Sequence, residues 1–546
     1  MKSGNLTEKS TERKEYPYCA SGITGYGVGH WVDDFRPVLN PALFQDIHRK
    51  LFAAFEIVMT SCGKNSPEYW CGAVHYKMPR DLSLHYFRYL EIRELESEGY
   101  SGIILKNGQK RSLQDELEEI SKRAESVIFR NKVTASEKLR ETLRLLKINL
   151  KSCGIGNFLT CLTPDYKCSV IADPDDFYVK AYCAENNLRP MCLRTLLFLS
   201  GGTESASGKN SAGDLFIENF FKEVLRQLPE SEEFFTEKII NYYKKLFAGT
   251  LFNFNRITEK LRKRKLGTLL LESMTNAECR LPAAVWKSLG GQVVGFAHGN
   301  AYLSCIGGSD ETNGAHLVIS DFVVGSQGEK SNLEHLRSIL PSPLNGDDRI
   351  IYLKQDIYKK LREKYKNAST ETAARNPDDI KEIMIVGFPL DSFYYPGLPG
   401  HDALTYTHLT LRIMKDLKQA GYRIIYKSHP DTLKESEGIF DSFADSVISE
   451  RFETVYERAD CILFPSPYST TFGFTVLTDK PVVYMRNSEW NYEPDELTQA
   501  LHRRTVPVNV SFDDKYVLKY STEELLNAVR ESAERLDIKA VEKYAV

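Results

Sequence analysis

The sequence predicts an α/β fold whose C-terminal half is a doubly wound parallel sheet, preceded by a larger, helix-enriched N-terminal half. Three observations carry that expectation. After residue 380 short apolar runs alternate with helical stretches, and parallel neighbours need crossovers of that length. A similar alternation begins near Thr268, whereas the first 264 residues read mainly as amphipathic helices. The chain has 546 residues, 42% hydrophobic and 27% charged, enough for two or more ordinary cores.

The 71 Lys+Arg against 74 Asp+Glu leave a net charge of -3, which removes any global electrostatic argument for a nucleic-acid partner. No run approaches the ~18 apolar residues of a membrane span. Met1-Lys2-Ser3-Gly4-Asn5 does not open a signal peptide, so a cytoplasmic location is expected. Eleven cysteines without any CxxC spacing read as reduced thiols rather than zinc ligands or disulfides.

Helices are expected over Asn40–Met59, Leu82–Glu98, Leu113–Ile128 and Ala135–Leu150, with a short strand at Gly102–Leu105. Gly22 to His30 carries four glycines but follows a poor strand and precedes a poor helix opening. It reads as a flexible loop rather than a dinucleotide fingerprint. Two helices are expected over Ala212–Leu246 and Thr250–Arg264. Strands follow at Thr268–Leu271, Gln292–Phe296, Leu317–Ile319 and Phe322–Val324, with a turn-rich loop from His298 to Gly314. Residues 1–340 form the expected N-terminal, acceptor-side domain and 341–380 a polar connection. The expected C-terminal domain spans 381–525, with strands at Glu382–Val386, Tyr422–Tyr426, Cys461–Phe464 and Val482–Tyr484. A last helix over 526–546 is expected to pack back on the N-terminal domain.

Ligands of such sheets bind outside the carboxyl ends of the strands. Three places in the C-terminal half meet that rule: Gly387-Phe388-Pro389-Leu390-Asp391, Lys427-Ser428-His429-Pro430-Asp431, and Pro467-Tyr468-Ser469-Thr470-Thr471-Phe472-Gly473. Hydroxyls ahead of a helix leave its first N–H groups free for an anion and donate their own O–H groups. Ser469 and Thr470 serve equally as plain helix caps. Pro430 biases His429 toward an extended backbone at the sheet edge, where an imidazole can reach a phosphate oxygen.

Lys427-Ser428-His429-Pro430, Phe452-Glu453, Ala459-Asp460, Tyr468-Ser469-Thr470 and Asp479-Lys480-Pro481-Val482 together resemble the nucleotide-binding half of bacterial surface-polysaccharide transferases of GT-B fold. The families sharing the pattern are polysialyltransferases, retaining β-Kdo transferases, and CDP-glycerol glycerophosphotransferases. The resemblance implies two Rossmann-like domains facing a cleft and a cytidine-nucleotide donor in the second. It also implies donor contacts from Lys427, His429, Pro430, Ser469, Thr470 and Gly387. Gly295-Phe296-Ala297-His298-Gly299 resembles the His-Gly turn near the cleft, and Ile319 to Ser326 the last strand before the connection.

The implied activity is transfer of a sugar, Kdo or a related ulosonic acid, from a CMP-activated donor to a capsule, O-antigen or glycolipid acceptor. A retaining double displacement needs a carboxylate nucleophile, and an inverting transfer needs only a base. Glu272, following a strand, is the first candidate, with Asp310, Glu311 and His298 beside it and Glu204 more remote. No metal and no cofactor is expected. Asp33-Asp34 and Asp347-Asp348 read as solvated turns rather than a cation site. Lys260 to Lys265 offers a contact for an anionic membrane face or an anionic acceptor, and equally reads as a plain exposed helix end. The alternatives are polyol-phosphate transfer from a CDP donor and nucleotide-sugar binding without turnover.

Overall fold

The alternation read from the sequence builds two six-stranded sheets, and every strand pairing within them is parallel. The structure, a computed structural model, describes residues 14–17, 20–104, 110–125, 140, 143, 166–171, 176–188, 191–192, 211–271, 277–297, 316–339, 342, 344, 347–354, 359–365, 376–388, 403–430, 433, 437–467, 469–487 and 494–545. The chain opens with β1 (Glu15–Pro17), α1 (Ala20–Tyr26), α2 (Val28–Asp34) and α3 (Pro41–Ser61). Then come α4 (Pro67–Val74), α5 (Met78–Ser97), β2 (Gly102–Ile104), β3 (Lys110–Ser112) and α6 (Leu113–Glu125). α3 shows why these segments are helical. Asn40 caps it by accepting from Ala42 N at 2.9 Å, Pro41 supplies its first turn, and Phe44, Ile47, Leu51, Phe55 and Val58 are buried along one face.

The first large sheet contains β4 (Tyr166–Ile171), β5 (Met191–Cys192), β6 (Leu266–Leu271), β7 (Gln292–Phe296), β8 (Asp321–Val324) and β9 (Arg349–Tyr352), in the order β5-β4-β6-β7-β8-β9. Its connections include α7 (Phe177–Glu185), α8 (Ser211–Gln227), α9 (Glu237–Leu261), α10 (Ala277–Ser288) and α11 (Gln327–Ile339). One face packs Leu269, Leu271 and Val293 on the helical layer, and the other packs Leu270, Val294 and Val323 on α7.

After α12 (Lys359–Tyr365), the second sheet contains β10 (Glu382–Val386), β11 (Arg423–Lys427), β12 (Ser446–Ile448), β13 (Cys461–Phe464), β14 (Val482–Arg486) and β15 (Val506–Asn509). Their order, β12-β11-β10-β13-β14-β15, reverses between β10 and β13. The helices are α13 (Ala403–Gln419), α14 (Phe452–Val455), α15 (Thr470–Thr475), α16 (Asp495–Arg504), α17 (Thr522–Ser532) and α18 (Ile538–Ala545). Ile383, Ile424, Leu463 and Val483 face α13 and α17, while Met384, Ile425, Ile462 and Tyr484 face α15, α16 and α18. Helical cover on both faces explains why these strands are continuous apolar runs. The chain is thus α/β with two doubly wound sheets in succession, in line with the GT-B-like expectation.

Several segments depart from the sequence reading. Residues 22–30 are not a loop: all but Gly27, the cap between the two helices, lie in α1 and α2, because Ile23, Val28, Trp31 and Val32 find a core on the second sheet's helices that local propensity cannot reveal. Leu317–Ile319 is a buried turn rather than a strand. The expected break near residue 247 lies inside α9, and the chain turns instead at Pro229–Ser231. The 341–380 segment contributes β9 to the first sheet before α12. Asp348 is not solvated: it is buried, accepting from Arg337 Nη2 at 2.9 Å and meeting His316 Nδ1 at 2.7 Å. Asp33 and Asp34 lie in α2, Asp33 paired with Lys415 at 3.1 Å. Two helices, α17 and α18, occupy the stretch read as one C-terminal helix. Apart from residues 140 and 143, Ala135–Leu150 lies outside the described residues.

Two segments tie the halves together. β1 pairs with β2, and then α2 lies on α13, where His408 meets Val32 O at 2.9 Å and packs its ring against Phe35 at 4.6 Å. α18 lies on α11, with Ser326 Oγ donating to Tyr544 O at 2.8 Å. A Cβ at Gly328 would stand 2.1 Å from Tyr544 Cα, so only glycine permits this approach.

Burial pushes the His408 imidazole down to about 4, against its backbone hydrogen bond to Val32, and burial with the nearby Arg280 charge pushes His75 down to about 3. Both lie below the ~6.5 of an unfolded histidine, so the unfolded chain takes up protons that the folded chain refuses. Their contribution is complete above about pH 6.5 and is lost as the pH falls toward 4 for His408 and toward 3 for His75. At pH 5 the loss is about 2 kcal/mol per histidine. Thermal unfolding between pH 7.5 and pH 5 is expected to show a falling Tm, and His408→Phe to flatten that slope.

Candidate functional site

In a doubly wound sheet the crevice for a ligand opens where the strand order reverses, outside the carboxyl ends of the strands. In the second sheet this is the gap between β10 and β13. Gly387 directly follows β10, Lys427 ends β11 and His429 follows it, and Ser469 and Thr470 follow β13. The sequence reading puts the His429 imidazole and the Ser469–Thr470 hydroxyls on two neighbouring crossings of this sheet, converging on one negatively charged group. Instead β10 lies between β11 and β13, which sets those two strands about 10 Å apart at ~4.8 Å per step. That spacing suits a phosphate seated above β10 rather than direct contact between the two arms.

Gly387 has a structural reason of its own. Its N–H donates to Lys427 O at 2.8 Å, and a Cβ there would meet Tyr426 Oη at 2.6 Å and Lys427 O at 2.7 Å. Tyr426 is buried with its ring stacked 3.8 Å from Phe440. The glycine therefore lets β10 end flush against β11.

Lys427 is the unusual group. Side chains two apart on a strand share a face, so Lys427 stands on the side of Ile425, the face that also receives Phe472 of α15. The side chain is buried, and its ammonium donates to the Ser428 carbonyl at 2.6 Å. An ammonium has three donors, and a desolvated charge is costly without an opposite partner. Burial holds it below the usual lysine range, with the Glu450 and Glu453 charges opposing that shift.

Ser469 caps α15, accepting from Thr471 N at 3.1 Å, so its oxygen is committed while its O–H remains a donor. Thr470 begins the helix and is half-buried. The helix is fixed from inside the sheet by Phe472, whose ring lies 5.3 Å from Phe464 and 5.5 Å from Tyr484. His429 is half-buried and Pro430 exposed at the same edge.

Other residues of the sequence pattern prove to be scaffold. Asp460 accepts from Lys381 N and Glu382 N, both at 2.9 Å, at the opposite, amino edge of the sheet. Lys480 is buried and donates to Ala459 O at 2.6 Å and Glu457 O at 3.2 Å. Glu204, Glu272, His298, Asp310 and Glu311 lie outside the described residues. Among the described residues no cluster of three or more His, Cys, Asp or Glu is arranged to hold a metal ion, and no helix is long and apolar enough to cross a membrane. Of the Lys260–Lys265 run, Lys260 ends in α9, and Arg262 to Lys265 are exposed beyond it.

No family model and no curated protein matches this chain. Among solved structures, it is similar to an Os79 variant from O. sativa crystallised in complex with UDP. The identity is 11%, over 71% of this chain and 88% of that one, with a TM-score of 0.31.

A desolvated lysine kept for an anion has opposite effects on folding and binding. Lys427→Met is expected to leave Tm unchanged or raise it, while weakening binding of a phosphate-bearing ligand tenfold or more through loss of a charge-assisted hydrogen bond. Paired melting curves and calorimetric titrations check this, and a large fall in Tm would mark Lys427 as scaffold.

Proposed function

We propose that the chain is a glycosyltransferase that takes its sugar from a cytidine-nucleotide donor, CMP-activated Kdo or a related ulosonic acid, for a surface glycan or glycolipid acceptor. The observation that carries this reading is the Lys427 ammonium, buried on the same face and at the same sheet edge as the Ser469–Thr470 turn. The resemblance of Lys427-Ser428-His429-Pro430 and Tyr468-Ser469-Thr470 to cytidine-nucleotide transferases supplies the donor class.

In this reading the donor phosphate lies above the end of β10, between the β11 and α15 arms. Lys427 neutralises charge from the inner side, and the Ser469 and Thr470 hydroxyls donate from the α15 side. His429 approaches from the β11 side. The negative charge on the phosphate grows as the bond from sugar carbon to phosphate oxygen breaks. Donors already fixed at that oxygen stabilise the transition state more than the ground state. The acceptor hydroxyl forms the new bond to the sugar carbon and gives its proton to a base. Glu272, Asp310, Glu311 and His298 are the candidates for that base or for a covalent nucleophile.

Thermal shift with CMP, CDP and UDP tests the donor class. At a hundredfold excess over Kd a bound nucleotide adds about 2.7 kcal/mol, so CMP is expected to raise Tm by about 2 °C and UDP by less. A stronger response to CDP turns the reading toward polyol-phosphate transfer, and no response to any of the three overturns it. Donor turnover lost in Glu272→Gln, Asp310→Asn or Glu311→Gln, with CMP binding retained, separates an enzyme from a binding protein.

A further inference from the structure

Arg504, the last residue of α16, is completely buried, and its guanidinium is spent on backbone carbonyls. Nε donates to Val476 O at 2.8 Å and Nη1 to Arg535 O at 3.2 Å. Nη2 lies 3.3 Å from Thr475 O, 2.7 Å from Thr478 O and 2.8 Å from Lys480 O. Thr475, Val476 and Thr478 are the end of α15 and the turn that follows it. The last carbonyls of a helix have no partner within it and are usually met by water or by a glycine cap. Here a buried fork of N–H groups meets them.

The fastening continues along the helix. Thr478 Oγ1 donates to Thr475 O at 2.8 Å, and Thr475 Oγ1 donates to Thr471 O at 2.7 Å. Thr471 N in turn donates to Ser469 Oγ at 3.1 Å. A continuous set of hydrogen bonds therefore runs from Arg504 to the hydroxyl turn at the other end of α15. The helix has only six residues, too few to hold its own geometry in isolation, so its position depends on what grips it. Phe472 grips its inner side. Arg504 grips its far end.

We propose that Arg504 is a positioning residue for the donor phosphate: by binding the carbonyls at the C-terminal end of α15 it fixes the Ser469–Thr470 turn at the sheet edge. This rests on the reading of that turn as a donor-phosphate site. A lysine cannot replace it in full, because three donors on one nitrogen do not match the spread of a planar fork. An apolar residue takes these donors away from the carbonyls of Val476, Thr478 and Lys480, while Thr475 O keeps Thr478 N and Oγ1.

The test uses the full chain with Arg504→Lys and Arg504→Met, reading amide hydrogen exchange by mass spectrometry and CMP affinity by calorimetry. In Arg504→Lys, exchange over residues 466–478 is expected to rise at least tenfold, while β10 and β11 stay within twofold of wild type. CMP affinity is expected to fall tenfold or more, and Arg504→Met, where it folds, to lose more than Arg504→Lys. Exchange rising equally across the whole second sheet, or CMP affinity within twofold of wild type in Arg504→Lys, overturns the role of Arg504 alone. A wild-type chain that binds none of CMP, CDP or UDP overturns the donor reading instead, and the exchange comparison still decides whether Arg504 fastens α15.

Discussion

A positive charge withdrawn from water at the end of β11 is the constraint from which the functional account follows. Keeping the Lys427 ammonium buried lowers its basicity and costs folding free energy that a methionine of similar length would not. A fold retains such a group more readily when an anion arrives to complete it. The surroundings are consistent with that use. Gly387, just after β10, lets that strand close against β11, and α15 brings two hydroxyls toward the same edge. The strand order reverses at this point and opens a crevice.

Polar side chains that contact backbone brace the second sheet away from that edge. Asp460 holds the start of β10 through two N–H groups, Lys480 fastens the approach to β13, and Arg504 closes the end of α15. Lys480 and Arg504 meet carbonyls in the interior, where an unpaired backbone group is costly. A substitution at these positions acts on geometry at a distance, so loss of activity there does not by itself identify a contact with ligand.

Much of the second half was legible in the sequence because its strands are short, apolar on both faces and bounded by turn residues. Glu382–Val386 and Cys461–Phe464 have the boundaries expected of them. Strand order was not legible, since periodicity says which residues are strands but not which strands touch. That is why β10 stands unexpectedly between the two arms of the site. The glycine-rich 22–30 stretch lacks helix propensity and becomes helical only because Trp31 and Val32 pack on α13 beside His408. Arg504 carried no signal at all: its partners are carbonyls, which every residue has. Asp348 read as half of a solvated pair, because the two groups that bury with it, His316 and Arg337, lie 32 and 11 residues away.

The most direct measurement is a crystal structure of the full chain soaked with CMP. The account predicts the nucleotide phosphate above the end of β10, within hydrogen-bond distance of Lys427 Nζ and of the Ser469 or Thr470 hydroxyl. A phosphate seated instead at the order reversal of the first sheet, between β4 and β6, with the edge of the second sheet empty, would contradict it.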